Sequence, residues 1–175
     1  MHSFLAVWCA FICFATTIAY PKNDTKLWSH TFKVGEKSFF IDIEKVNFDD
    51  AMKFCNSQDM QLATLKTSSE NANLLAQLRG IGGYVSTSSF WTSGTKLAKS
   101  NDWIWLTNNL EIITFFDWGT GEPSNNDGNE NCLVVAPSFY SSGHWNDAPC
   151  TSLLYPICES KLNPKNIINV PIRID

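Results

Sequence analysis

The sequence predicts an α+β chain stapled by two disulfides. Three observations predict it. Two stretches, opening at Asn47 and at Thr67, carry apolar residues at helical spacing. Short aromatic or apolar runs then follow at 90–92, 103–106, 115–118, 132–136, 144–146 and 153–158, with the look of strands. Finally, Cys55, Cys132, Cys150 and Cys158 stand downstream of an apolar leader. Four cysteines in a secreted chain imply two bridges, with three possible pairings. The length of 175 residues suits one domain with small extras.

The elements follow in order. Phe4 to Ala15 is an apolar run too short to span a bilayer. Thr17-Ile18-Ala19 offers small residues at the cleavage positions, so 1–19 reads as a secretory signal. Its removal takes Cys9 and Cys13 with it. No later apolar run is long enough to cross a membrane. Asn23-Asp24-Thr25, inside a short segment 20–26, is an N-glycosylation sequon.

Lys37 to Ile43 alternates as a strand, with Phe39, Ile41 and Ile43 on one face. Asn47 is a good helix N-cap, and Asp49 and Asp50 suit the first-turn dipole. Phe48, Ala51, Met52 and Cys55 recur at helical spacing. Leu62, Thr64 and Leu65 form an extended link. A second helix runs from about Ser68 to Arg79. Thr67 and Glu70 have capping-box spacing, Leu74, Leu75 and Leu78 make the buried stripe, and Gly80, Gly82 and Gly83 stop it. Phe90-Trp91-Thr92 begins a strand. Trp103 to Leu106 and Phe115 to Trp118 are aromatic strands, readable as a platform for stacking sugars. The core reading is the stronger one, because aromatics carry most of the burial in a small domain. The tail, 161–175, holds two prolines and no clear period.

Between Glu122 and Cys150 the chain gathers hard oxygen donors. It reads E-P-S-N-N-D-G-N-E-N-C, an apolar run, then H-W-N-D-A-P-C. Glu122, Ser124, Glu130, Asn146 and Asp147 supply three carboxylates, a carboxamide and a hydroxyl. A cation such as Ca²⁺ takes six to eight oxygens, several of them from carboxylates.

These spaced elements, E-P-x, Glu-x-Cys and W-N-D followed by Cys, resemble the long-loop site of a C-type lectin domain. The ending Tyr155-Pro156-Ile157-Cys158-Glu159 resembles the family's closing strand, and the variants at W-T-S-G and E-P-S have the look of insect secreted lectins. The resemblance covers Leu27 to Glu159 and places the domain at 27–160. It implies a C-type lectin-like fold, with two helices flanking small antiparallel sheets and a long calcium- and sugar-binding loop. It implies the bridges Cys55–Cys158 and Cys132–Cys150, and a cis peptide before Pro123.

Direct calcium ligands are then Glu122, Glu130, Asn146 and Asp147, with Ser124 contributing if it reaches. The same five residues would bind sugar. The family's mannose-type motif is E-P-N and its galactose-type motif Q-P-D. Keeping Glu122 favours the mannose type, while Ser124 lacks the amide donor. A second calcium site is expected to be absent, with Thr95, Lys99, Asn125 and Asn131 where acids would be needed.

The expected protein is a secreted calcium-dependent lectin with a carbohydrate partner, a glycan or glycoprotein. The alternative is a lectin-like domain that binds a protein partner without calcium. Other classes fit poorly. Net charge is −4 and no basic cluster exists, so nucleic acid is not expected as a partner. Zinc lacks close cysteine pairs, and the mature chain has only His30 and His144. Glu122 and Glu130 as the acid and base of a glycosidase would need one of them protonated, which a shared calcium ion opposes. The chain is therefore not expected to be an enzyme.

Overall fold

A computed structural model describes residues 29–96, 101–107, 111–138 and 144–161. The signal at 1–19, the Asn23 sequon, the domain start at Leu27, Lys99 and the tail beyond 161 lie outside the described residues. Two antiparallel strands open the fold: β1 (His30–Val34) and β2 (Lys37–Ile41). Gly35, the first of the two turn residues between them, has φ 58°, which glycine adopts without a Cβ clash. α1 (Phe48–Ser57) follows, then β3 (Met60–Leu62) and α2 (Ser68–Ile81). The remaining strands are β4 (Phe90–Lys96), β5 (Trp103–Trp105), β6 (Glu111–Ile112), β7 (Glu130–Val135), β8 (Trp145–Pro149) and β9 (Tyr155–Ser160).

β9 organises one part of the sheet, pairing antiparallel with both β2 and β3. β4 organises the other, between β5 and β7, and β7 pairs in turn with β8. The pairing is antiparallel except where β4 runs beside β9 at Phe90↔Tyr155 and Trp91↔Pro156. That parallel contact joins the two parts, so the sheets are not wholly separate. The disulfides are Cys55–Cys158, tying α1 to β9, and Cys132–Cys150, tying β7 to the end of β8. Their Cα separations of 5.4 and 5.2 Å lie within the usual bridge range.

The helix signals act locally, as the residues suggest. The Asn47 side chain accepts the Asp50 amide at 2.9 Å, and Thr67 Oγ1 accepts the Glu70 amide at 3.1 Å. Glu70 reaches back to the amide of Lys66 rather than to that of Thr67, so the capping box is opened by one residue. α2 runs through Gly80 and ends at Gly82, whose φ is 72°.

Three expectations change. The 37–43 strand stops at Ile41, because the Asp42 carboxylate accepts the Ile43 amide and turns the chain. Ile43 is then exposed, off the core face. The 115–118 run is not a strand. Its Asp117 carbonyl accepts both the His144 and Trp145 amides, and only Trp118 makes a bridge, to Trp145. Finally, β1, β3 and β6 are short edge or linking strands whose sequences carry no alternation long enough to read. The aromatics do build the core: Trp91, Trp105 and Trp145 are fully buried, and Trp103 nearly so.

Candidate functional site

The loop that carries Glu122 hangs from β8. Gly119 donates its amide to the Trp145 carbonyl at 2.9 Å, and the Glu122 amide returns to the Gly119 carbonyl at 3.0 Å. The Glu122–Pro123 peptide is cis. Asn125, Asp127 and Gly128 all have positive φ, which winds 124–129 into a tight coil before Glu130 opens β7. On β8, Asn146 and Asp147 lie across from Val134 and Leu133. Trp145 anchors them from behind. Its ring is buried in edge contacts with Trp105, Phe115 and Trp118, and its Nε1–H donates to Asn71 Oδ1 at 2.9 Å.

Four of the predicted residues come together at Ser124, where Glu122, Glu130 and Asp147 meet it, while among the described residues no hydrogen bond links the Asn146 side chain to them. The Ser124 amide donates to Glu122 Oε2 and to Asp147 Oδ1, both at 2.9 Å. Its hydroxyl donates to Glu130 Oε2 at 3.2 Å. The Asn125 amide donates to Asp147 Oδ2 at 2.9 Å, and the Asn126 amide to Glu130 Oε2 at 2.6 Å. Asp147 is buried and Glu130 nearly so. Asn146 contributes a buried Oδ1 with no hydrogen-bond partner. An acceptor left so costs about 1–3 kcal/mol unless a donor or cation meets it.

Among the described residues, no three His, Cys, Asp or Glu side chains stand close enough to share an ion. The carboxylates face the amides of 124–126 instead, which supply positive partial charge. Three carboxylates and an orphaned carboxamide oxygen nevertheless form an all-oxygen set, the chemistry of a hard cation. Where acids would serve a second ion, Thr95 Oγ1 donates to the Asn131 carbonyl at 2.9 Å, and Asn125 Oδ1 accepts the Glu130 amide at 3.2 Å.

One part of the surroundings was not foreseen. Behind Trp145, Asp117 Oδ2 accepts from Asn71 Nδ2 at 2.7 Å and from His144 Nδ1 at 2.8 Å. From sequence, His144 reads as the start of a short strand and a poor zinc ligand, and Asp117 as part of an aromatic run. Their pairing across 27 residues leaves no local pattern.

A family model described as "Lectin C-type domain" matches residues 44–160. The C-type lectin mosGCTL-7 of Aedes aegypti is 28% identical over 128 residues, covering 71% of this chain and 84% of that protein. The C-type lectin 37Da of Drosophila melanogaster is 30% identical over 146 residues, covering 80% of this chain and 76% of that protein. Among solved structures, the mouse scavenger receptor C-type lectin carbohydrate-recognition domain superposes with a TM-score of 0.63. Its identity is 25%, covering 77% of this chain and 97% of that one.

Proposed function

This chain belongs to the C-type lectin domain family, and from that premise we propose that it is a secreted, calcium-dependent lectin of the mannose type. Carbohydrate binding of the lectin kind, rather than catalysis, is what the family establishes. The finer reading is carried by one observation: Ser124 holds Glu122, Glu130 and Asp147 at once. Those three carboxylates and Asn146, with Ser124, would hold Ca²⁺. The bound ion supplies coordination for two neighbouring sugar hydroxyls.

The protein's own groups read the same hydroxyls. Carboxylates accept and never donate, so Glu122 and Glu130 take hydroxyl protons. The Asn146 amide nitrogen is the complementary donor. A Ser at position 124 removes one further amide donor, which weakens the site without changing its sense. Glu122 in the first motif position supports the mannose-type arrangement.

Secretion is supported by the apolar leader and by two disulfides, which persist in oxidising compartments. Among the described residues, no helix is long and apolar enough to cross a membrane. The reading takes the domain as 27–160 and Asn23-Asp24-Thr25 as an acceptor sequon for a glycan. The deciding experiment is a glycan array probed in calcium and again in chelator. Mannose-type glycans should bind in calcium and wash off in chelator. Unchanged binding in chelator would refute calcium dependence. Absence of glycan binding in both would leave the calcium-free protein partner as the reading to pursue.

A further inference from the structure

A cavity of about 230 Å³ opens between α2 and the 115–117 segment, on the far side of the Asp117–His144 pair. Its lining combines polar groups and an apolar wall. Arg79, Asp117, His144, Asn71 and Ser68 are its polar residues, and Leu75 and Phe115 stand in the wall. The hydrogen bonds define its charge. Arg79 Nη2 can only donate, and it lies 2.6 Å from His144 Nε2. His144 Nε2 therefore accepts, and Nδ1–H donates to Asp117 Oδ2. Arg79 and Asp117 set one positive and one negative group in the same lining.

Each group also excludes a ligand class. The Asp117 carboxylate repels an anion, and the Arg79 guanidinium repels a cation. Asp117 Oδ2 already serves two donors, but a carboxylate has about four acceptor positions, so capacity remains for hydroxyl protons. Ser68 is exposed and its hydroxyl both donates and accepts. The half-buried Phe115 ring offers an apolar face. The cavity is of a size for a single small ring rather than a chain of them.

We propose that this cavity is a second carbohydrate subsite, taking one neutral hexose ring without a metal ion. Fixed planar polar groups meet the hydroxyls, and Phe115 meets the C–H face. The site stands apart from the calcium reading, since none of its lining residues belongs to the 122–130 loop. It also lies close to that loop in the chain: Asp117 and His144 flank the segments that carry Glu122 and Asn146.

The test uses the isotope-labelled, disulfide-closed chain in chelator. Methyl α-mannoside, methyl β-galactoside and methyl β-N-acetylglucosaminide are titrated separately, and amide shifts are followed. At least one glycoside should shift the amides of Ala72, Arg79 and Trp145 to saturation at millimolar concentration. Ala72→Trp fills the cavity from an exposed helix position and should weaken that binding tenfold or more. Ser68→Phe is a second blocking change and should act in the same direction. Far-UV circular dichroism identifies whichever variant keeps its fold. Sodium acetate should leave these amides unmoved. Three outcomes would each overturn the proposal: no saturable shift with any glycoside, shifts indifferent to both folded variants, or acetate reproducing them. Failure of the calcium reading shows instead at the amides of 124–126 when calcium is added, so the two are distinguishable.

Discussion

Asp147→Asn probes the candidate site with the smallest change of shape. In the parent both carboxylate oxygens are used, Oδ1 by the Ser124 amide and Oδ2 by the Asn125 amide, each at 2.9 Å. Asparagine keeps one acceptor and turns an NH₂ towards one of those donors. A hydrogen bond to a charged group contributes about 1.5–3 kcal/mol, so opening of the loop at 124–125 becomes easier by that amount. At 1.4 kcal/mol per decade, those two amides should exchange with solvent about ten- to a hundredfold faster in chelator. The β7–β8 ladder is backbone and should survive, as should both disulfides.

Calcium gives the second readout. At a hundredfold excess over its dissociation constant, a ligand of the native state stabilises by about 2.7 kcal/mol. That is a rise of about 5–15 °C in Tm for a domain of this size. Asp147→Asn removes one of three formal charges from the oxygen set, so most of that rise should vanish, and calcium-dependent glycan binding with it. The assays are amide exchange, thermal melts with and without calcium, and array binding, beside circular dichroism. A variant that keeps both the calcium-induced rise and the parent's glycans would refute the assignment of Asp147 to a metal-linked sugar site.

Three further outcomes are expected. Ser124→Asn restores an amide donor at the third motif position and should tighten methyl α-mannoside binding about two- to tenfold, one neutral hydrogen bond's worth, with calcium stoichiometry unchanged by calorimetry. Lys37→Met should cost about 3–5 kcal/mol in urea melts, because it strands the buried Glu159 carboxylate, which Lys37 meets at 2.9 Å. Burial disfavours the Lys37 ammonium, but Glu159 and Glu70 outweigh it and raise the pKa above 10.5. The parent's advantage over Lys37→Met should therefore be complete below pH 10.5 and shrink as pH rises through the raised value. Gly94→Val places a Cβ 2.6 Å from Leu133 Cβ, so overpacking should lower stability by about 1–3 kcal/mol or more in thermal melts. Leu133 pairs with Asp147, so calcium affinity should fall as well.

Much of this protein was legible because its signals are local. Asn47 and Thr67 cap their helices through side chains three residues from the amide they accept. Leu74, Leu75 and Leu78 form a buried stripe because a helix turns every 3.6 residues. Glu122, Ser124, Glu130, Asn146 and Asp147 could be gathered as a candidate set because they cluster in two short motifs with their own cysteines. The disulfide pairing was not derivable from spacing, since three pairings fit four cysteines. It was available only through the resemblance.

Tertiary structure decided what depends on partners distant in the chain. The 115–118 run looks like a strand, yet His144 and Trp145 take its Asp117 carbonyl and leave no ladder. Ile43 fits the alternation, yet the Asp42 side chain ends the strand before it. Asn71, Asp117, His144 and Arg79 form one network over separations of up to 65 residues, which no periodicity records. The same holds within the candidate site. The oxygen donors can be read from the chain, but their capture by the amides of Ser124, Asn125 and Asn126 cannot. Donor chemistry belongs to residue type. The direction of each lone pair is set by backbone torsions and strand register, and those are settled only when the whole sheet packs.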